Sequence, residues 1–209
     1  MSRIKVLDEL TIQKIAAGEI IERPSSIIKE LVENSLDANS SNITIEISNG
    51  GKSYIRVTDD GDGILKSDLE NAFKRHSTSK LSNIDDLYRI ASFGFRGEAL
   101  ASIATVSKVE ILTKTPNSLG GIQAFVKDGK IFNQRPVGCP KGTTLIVRDL
   151  FYNVPVRKKF LKSDIAESNH ISDIIYKLAL GNPGVSFKYI KDNKIILRTS
   201  KNNNIISNI

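Results

Sequence analysis

Two different hydrophobic periods divide this chain of 209 residues into predicted helices and strands. Apolar residues recur at helical spacing in Leu10–Glu22 and again, after Pro24-Ser25-Ser26, as far as Ala38. From Asn42 the period becomes two, which indicates strands. The remaining predicted elements are a hairpin that turns at Asn49-Gly50-Gly51 and ends at Asp59, a short helix opened by a capping box at Ser67–Glu70 and ending near Arg75, a helix at Glu98–Thr105, strands at Lys108–Lys114, Gly121–Val126 and Thr143–Asp149, a helix at Ile165–Leu180, and a last hairpin of Val185–Ile190 with the residues around Leu197.

Tight turns join most of the predicted strands, and this decides the fold class. Asp128-Gly129 is a second hairpin turn beside Asn49-Gly50-Gly51. Because hairpins place neighbouring strands antiparallel, the sequence predicts an α+β fold, with a mixed, mostly antiparallel sheet and helices packed on one face. Residues 77–97 are polar and end in glycines, with a brief helical turn expected at Asp85–Ile90. A long segment of this kind inside a compact domain indicates a functional lid.

Composition excludes several classes of protein. No run of 18 apolar residues and no basic-then-apolar N-terminal segment occurs, which argues against a membrane span and a secretory signal. The single cysteine, Cys139, excludes an internal disulfide and fits a reducing compartment. The net charge of +7 permits a nucleic-acid partner without requiring one.

The second predicted helix carries an unusual polar stripe. Glu30, Glu33, Asn34 and Asp37 recur at i, i+3, i+4 and i+7, so they share one face. Ile28, Leu31, Val32, Ser35 and Leu36 form the opposite face, which we expect to pack inward. Three carboxylates and an amide on one stripe are unfavourable unless the stripe meets water, a metal or a ligand. Glycine-rich turns at Asp59–Gly63 and Gly94–Gly97 follow at distances typical of a nucleotide pocket.

Two segments are similar to familiar phosphate-binding and calcium-binding motifs, but neither motif is complete. Gly51-Lys52-Ser53 is similar to the end of a phosphate-binding P-loop, but Glu46 stands where that motif needs glycine, and a strand follows instead of a helix. Residues 58–63 are similar to the start of a calcium loop, but Leu69 occupies the position of the bidentate glutamate. One cysteine and two histidines, His76 and His170, cannot form a typical structural zinc site.

Seven stretches together resemble the N-terminal ATPase region of MutL-type DNA mismatch repair proteins. That family belongs to the GHKL ATPase group, with gyrase B subunits, heat-shock chaperones and histidine kinases. The matching stretches are Ile15–Pro24, Lys29–Ala38, Asp59–Gly63, Arg75–Lys80, Gly94–Ile103, Gly142-Thr143-Thr144 and Asp149–Asn153. The Gly94–Ile103 stretch beside the Lys29–Ala38 helix favours the mismatch-repair branch over a gyrase-like or histidine-kinase-like domain.

The resemblance implies ATP and Mg²⁺ as cofactors and gives roles to three residues. Asn34 matches the magnesium-binding asparagine, and its neutral carbonyl oxygen suits a cation that takes one or two protein oxygens. Glu30, one turn earlier, matches the general base that activates the attacking water. Asp59 is the expected adenine reader, because an ionised carboxylate accepts from an exocyclic amino group and would be left unpaired by the carbonyl of guanine. Asp60 departs from the asparagine usual in the family.

The other expected nucleotide-binding residues fall into two sets. Gly61 and Gly63 let the backbone approach the base, whereas hydroxyl, ammonium and helix N-terminal N–H groups suit phosphate oxygens. Arg96 binds phosphate or, alternatively, braces the lid through an acidic partner. The remaining candidates are Ala38, Thr78, Ser79, Lys80, Gly94, Phe95, Arg96, Gly97, Glu98 and Thr143.

Two functions remain open. In the first, residues 1–209 are a slow ATPase domain whose nucleotide orders a lid and drives dimer closure, relaying a signal from a MutS-type mismatch-recognition protein to a downstream nuclease or helicase. In the second, the chain is a nucleotide-gated interaction module with negligible hydrolysis. The family's chains continue into a second subdomain, which donates a lysine to the γ-phosphate, and then into a C-terminal dimerisation region. We therefore expect this chain to be an N-terminal fragment. We expect its location to be the bacterial cytoplasm or another place in the cell with DNA.

Basic clusters at Arg157–Lys162 and Lys188–Lys194 suggest at most weak, non-specific DNA binding.

Overall fold

A computed structural model describes residues 5–77 and 97–201 of the chain. Within these ranges lie six helices and eight strands. The helices are α1 (Glu9–Ile20), α2 (Pro24–Asp37), α3 (Leu69–Ala72), α4 (Ala99–Val106), α5 (Pro155–Phe160) and α6 (Asp164–Gly181). The strands are β1 (Asn42–Ser48), β2 (Tyr54–Asp59), β3 (Lys108–Lys114), β4 (Gly121–Lys127), β5 (Lys130–Val137), β6 (Gly142–Arg148), β7 (Ser186–Lys191) and β8 (Lys194–Arg198).

The eight strands form one mixed sheet in the order β5-β4-β3-β6-β2-β1-β7-β8. Every neighbouring pair is antiparallel except β1 and β7, which run parallel with Ile45 opposite Tyr189. The β1–β2 hairpin has Ile45 opposite Val57, and β6 pairs with both β2 and β3, so Leu145 faces Val57 and Ile111. The predicted mixed, mostly antiparallel sheet is therefore confirmed.

The core lies between one face of this sheet and the helices. Ile43, Ile45 and Ile47 of β1 are at most 1% exposed, as the period of two predicts, and their polar neighbours lie on the other face. From the helix side, Ile28 and Leu31 of α2 are equally buried in the same cluster. Burial of each such aliphatic side chain contributes roughly 1.5–3 kcal/mol relative to exposure. The apolar stripe of α2 therefore fixes which of its faces can meet a ligand.

The start of α2 is anchored to α6 through a buried ion pair. Arg23, the residue before α2, lies with its guanidinium 3.5 Å from the carboxylate of Glu167, which is completely buried. The same carboxylate accepts the backbone N–H of Lys162 at 2.9 Å. A buried carboxylate without partners would be costly, so these contacts tie the first turn of α2 to the first turn of α6.

Three details differ from the sequence prediction. The predicted capping box at Ser67–Glu70 was wrong, because no side-chain capping bond forms at α3. The chain there forms a 3₁₀ turn at Lys66–Asp68, followed by a helix that ends at Ala72, before Arg75. The Ser67 hydroxyl donates to its neighbour Asp68 at 3.1 Å instead. The basic segment after Tyr152 forms α5, which was not predicted. The parallel pairing of β7 with β1 was not predicted either.

Asp60 connects the end of β2 to the start of β1. Its carboxylate accepts the backbone N–H groups of Ser41 and Asn42 at 2.8 and 2.9 Å, and the side-chain amide of Asn42 at 2.7 Å. Burial alone would raise the pKa of Asp60, but the hydrogen bonds from Asn42 and Ser41 outweigh burial and lower this pKa below its usual value. Three converging donors explain why an acceptor-only side chain suits this position.

We predict that Asp60→Asn lowers the free energy of unfolding at pH 7 by roughly 1–3 kcal/mol, because an amide cannot accept all three bonds. A lowered folded-state pKa stabilises the protein above the unfolded pKa, near 4, and this contribution disappears as pH falls through the folded value. Urea unfolding from pH 7 to pH 3 should therefore show the variant and the wild type converging in acid. Asp173→Asn, at an exposed position on α6, is the control. If the difference in free energy of unfolding between the variant and the wild type stayed constant across this pH range, the stabilising role given to the ionised Asp60 carboxylate would be wrong.

Candidate functional site

The carboxylate of Asp59 is the centre of the site. At the end of β2, its Oδ1 accepts the backbone N–H groups of Gly61 at 2.9 Å and Thr143 at 3.1 Å, and its Oδ2 accepts the hydroxyl of Ser35 at 2.9 Å. Burial raises the pKa of Asp59 despite these hydrogen bonds, which act to lower it. Three separate elements, α2, the turn after β2 and the start of β6, therefore converge on one partly buried acceptor.

Gly61 and Gly63 are both required by close protein contacts. A Cβ on Gly61 would lie 2.5 Å from the carbonyl oxygen of Ala38, the residue at the end of α2. Gly63 has a φ of 69°, and a Cβ there would overlap the carbonyl group of Lys114. The backbone N–H of Asp62 also donates to the Ala38 oxygen at 2.9 Å. The turn after Asp59 is thus pressed between the end of α2 and the end of β3.

The polar stripe of α2 divides into two parts. Glu30 and Asn34 lie on the partly exposed side of the helix, one turn apart. Glu33 is only 8% exposed, and its carboxylate lies 3.6 Å from the ammonium of Lys29. Burial raises the pKa of Glu33, although the charge of Lys29 acts to lower it. Glu33 is therefore placed as a structural partner of Lys29, whereas Glu30, Asn34 and Asp37 are partly exposed.

Thr143 and Thr113 link the site to the sheet. The Thr143 hydroxyl lies 3.2 Å from the hydroxyl of Thr113, which accepts the backbone N–H of Ile64 at 2.8 Å. Thr113 is buried. The chain just after Gly63 is thus bonded to β3, in addition to the bond between the Asp59 carboxylate and β6.

The described ends of the predicted lid meet at the start of α4. The α-carbon of Gly97 lies against the backbone of Ser77, and Gly97 has a φ of 61°. Beside this contact, His76 Nδ1 lies 3.0 Å from a carboxylate oxygen of Glu98, the residue before α4. Thr78, Ser79, Lys80, Gly94, Phe95 and Arg96, together with the predicted turn at Asp85–Ile90, lie outside the described residues.

Sequence reasoning missed Ser35. It stood in the stripe expected to pack inward and is indeed buried, but its hydroxyl contacts both the Leu31 carbonyl oxygen, at 3.0 Å, and Asp59. The only signal in the sequence was a hydroxyl group within an otherwise apolar stripe. Thr113 was missed for a different reason, since only the folded sheet brings it next to Thr143.

A cavity of about 280 Å³ opens at the same end of the sheet. It is lined by Asp59 and by residues 138–144, and also by Thr58 and Leu112. These two residues alternate with the buried Val57 and Ile111, so they lie on the sheet face away from the helices. The cavity therefore opens away from Ser35 and α2.

The described residues contain neither a cluster of metal ligands nor a helix that could cross a membrane. In the two described ranges, no group of three or more His, Cys, Asp or Glu side chains is arranged to hold a metal ion. One amide oxygen, from Asn34, fits a cation that is held mainly by phosphate oxygens and water, as Mg²⁺ usually is. No helix within the same residues has the length and apolar character needed to cross a membrane.

Comparison with known proteins supports the resemblance found in the sequence. Residues 22–136, more than half of the chain, match the family described as "Histidine kinase-, DNA gyrase B-, and HSP90-like ATPase". The DNA mismatch repair protein MutL of Caldanaerobacter subterraneus subsp. tengcongensis is 53% identical over 98% of this chain, and that of Clostridium tetani is 50% identical over 98%. These alignments cover 35% and 33% of the two relatives, so the chain spans about a third of their length.

Solved structures agree with the sequence matches. The Aquifex aeolicus MutL ATPase domain complexed with ADP is 36% identical, with a TM-score of 0.72 over 88% of this chain and 65% of that one. An N-terminal domain of a DNA repair protein is 31% identical, with a TM-score of 0.82 over 97% of this chain and 61% of that one. The chain thus belongs to the MutL family of DNA mismatch repair proteins, as a GHKL ATPase domain.

Proposed function

We propose that this chain binds ATP with Mg²⁺ and hydrolyses it slowly as part of DNA mismatch repair. The observation that carries the proposal is the Asp59 carboxylate, held by Ser35, Gly61 and Thr143 beside the partly exposed residues of α2. The relative complexed with ADP supports the nucleotide class. Calorimetric titration of the chain with ATP and GTP tests the proposal directly.

Adenine is recognised through the charge and direction of Asp59. Both carboxylate oxygens already accept protein donors, so the group is held in one orientation before any ligand arrives. Oδ1 accepts two backbone N–H groups, whereas Oδ2 accepts only the Ser35 hydroxyl and retains accepting capacity, which suits the exocyclic amino group of adenine. Guanine presents a carbonyl oxygen at the corresponding position, which would face the carboxylate without a shared proton.

Glu30 and Asn34 act at the phosphate end. Asn34 offers its amide oxygen to Mg²⁺, which is held otherwise by the triphosphate and water. Glu30, one turn earlier on the same face, accepts a proton from the water that attacks the γ-phosphate. Such positioned proton transfer contributes roughly 10²–10⁴-fold to rate. The buried position of Glu33 and its pairing with Lys29 favour Glu30 over Glu33 as the base.

Phosphate oxygens meet the start of α4. The backbone N–H groups at Gly97 and Glu98 lead into a helix N-terminus, which attracts anions. Gly97 contacts Ser77. In the sequence these two residues adjoin the other phosphate-binding candidates: Thr78, Ser79 and Lys80 follow Ser77, and Gly94, Phe95 and Arg96 precede Gly97.

In the longer protein, nucleotide binding would drive dimer closure and relay mismatch recognition from a MutS-type protein to a nuclease or helicase. The 53% identity to a MutL protein supports this role. Weak, non-specific binding of DNA phosphates by the exposed lysines of α5 fits the same setting. The protein would then act inside the cell, with DNA.

We predict that Asp59→Asn weakens ATP binding about 10- to 100-fold and reduces the preference for ATP over GTP, because the amide loses the charge that strengthens the adenine bond. An ordinary aspartate has a pKa near 4, and burial raises the pKa of Asp59 above that value. As pH is lowered, the affinity of the wild type for ATP should therefore begin to fall at a higher pH than an ordinary aspartate would cause. The variant should lack this dependence. Calorimetry at several pH values measures both effects.

The control is Asp62→Asn, which changes an exposed carboxylate that accepts the amide of Asn39 at 2.8 Å in the same turn. It should bind ATP as the wild type does. Equal wild-type affinities for ATP and GTP would refute Asp59 as the base reader.

We predict that Glu30→Ala keeps ATP affinity within a few-fold but lowers turnover by roughly 10²-fold or more, because the base acts only in the chemical step. Asn34→Ala should instead lose the magnesium-dependent part of binding. Binding is measured in this chain with and without Mg²⁺, and phosphate release both in this chain and in a longer chain. Normal turnover by Glu30→Ala would move the base to Glu33. Negligible turnover by both wild-type chains would favour a nucleotide-gated interaction module.

A further inference from the structure

Every carbonyl group in the last turn of α4 has a partner of its own. The final four carbonyl groups of a helix lack partners within the helix, and a short helix often leaves them to water. Here they accept hydrogen bonds from two distant turns and one neighbour: Ile103 from the Ser107 hydroxyl at 2.6 Å, Ala104 from the Gly129 N–H at 3.1 Å, Thr105 from the Asn153 side-chain amide at 2.8 Å, and Val106 from the Phe151 N–H at 2.7 Å.

The two distant turns are joined to each other as well as to the helix. Asp128, in the β4–β5 turn, accepts the phenolic hydroxyl of Tyr152 at 2.8 Å and the side-chain amide of Asn153 at 3.0 Å, both through Oδ1. Burial, the hydrogen bond to Asp128 and the charge of Asp128 all raise the pKa of Tyr152, because each disfavours the phenolate. Asp128 and Phe151 have φ values of 50° and 59°, so both turns use left-handed backbone.

Asn153 is the central group of this arrangement. Its amide nitrogen donates to Thr105 at the end of α4 and to Asp128 across the turn. Only the NH₂ end of the amide can face two acceptors, so these partners fix its orientation. Asp149–Asn153 was one of the stretches that carried the family resemblance, and nothing in the proposed nucleotide chemistry uses it.

Helix α4 is held by the burial of Ile103, Ala104 and Val106 in the core and, at its C-terminal end, by these hydrogen bonds. It has eight residues, too few to be stable as an isolated helix. Its other end follows Gly97 and Glu98, which stand at the phosphate end of the proposed site. Capping groups that hold the C-terminal turn therefore also set where the N-terminal N–H groups point, roughly 12 Å away at 1.5 Å per residue.

We propose that Asn153 is a positioning residue for phosphate binding: by holding the C-terminus of α4, it pre-organises the N-terminus of the same helix for the nucleotide. This inference rests on the proposed function. Asn153 acts through α4 without touching ATP. Its loss should therefore weaken binding of the phosphates and leave recognition of adenine by Asp59 unchanged, because pre-organisation contributes affinity only where the moved groups contact the ligand.

The test compares two asparagines that make the same kind of bond. Asn153→Ala removes the cap on α4, and Asn182→Ala removes the equivalent cap on α6, where the Asn182 amide donates to the Leu178 carbonyl at 2.8 Å. ATP affinity is measured by calorimetry and adenosine affinity by competition, each beside a thermal unfolding curve. We expect both variants to lower Tm, but only Asn153→Ala to weaken ATP binding, about tenfold, with adenosine binding unchanged.

A milder variant keeps the test valid if Asn153→Ala does not fold. Asp128→Asn retains a side chain that tolerates left-handed backbone and weakens the acceptor that Asn153 shares with Tyr152, so it should reduce ATP affinity in the same direction by a few-fold. Equal losses for ATP and adenosine, an equal loss of ATP affinity in Asn182→Ala, or unchanged ATP affinity in Asn153→Ala would each overturn the inference. A wild-type chain that binds adenosine but gains nothing from the phosphates would refute the proposed function itself.

Discussion

A single partly buried carboxylate, that of Asp59, holds the site together. A charge withdrawn from water is costly unless donors surround it, and three elements supply those donors: α2 through Ser35, the following turn through Gly61, and β6 through Thr143. Each of these donors belongs to an element that is fixed elsewhere by the core. The carboxylate therefore has all three donors only when the sheet and the helix layer are both correctly packed, and only then is it held in the orientation that a ligand would meet.

Asp59 and Asp60 are adjacent, yet their environments move their pKa values in opposite directions. Asp59 points towards α2, where burial dominates and the pKa rises. Asp60 points towards the start of β1, where hydrogen bonds from Asn42 and Ser41 dominate and the pKa falls. Successive residues at a strand end point to opposite sides, so one side chain can serve binding while its neighbour serves the turn.

Helices α2 and α4 are both held at the end away from the proposed chemistry. The ion pair of Arg23 with Glu167 fixes the first turn of α2, and Glu30 and Asn34 lie further along it. The turns that contain Asp128 and Asn153 fix the last turn of α4, and its first turn lies beside Gly97. This arrangement keeps the groups that meet the ligand accessible while the packing that orients them stays buried.

The sequence by itself determined the fold class, most of the strands and helices, and the family. It could do so because hydrophobic period and turn chemistry are local properties of the sequence. The alternation of Ile43, Ile45 and Ile47 with polar residues predicts a half-buried strand, whatever the position of that strand in the sheet. The short motifs also predicted roles in the site for Glu30, Asn34 and Asp59. Tertiary structure decided what depends on distant partners, including the parallel pairing of β7 with β1, the burial of Glu33 but not of Glu30, and the hydrogen bonds of Ser35 and Asn153. Burial and hydrogen-bond partners arise between residues far apart in the chain, as between Thr105 and Asn153, so spacing along the sequence could not reveal them.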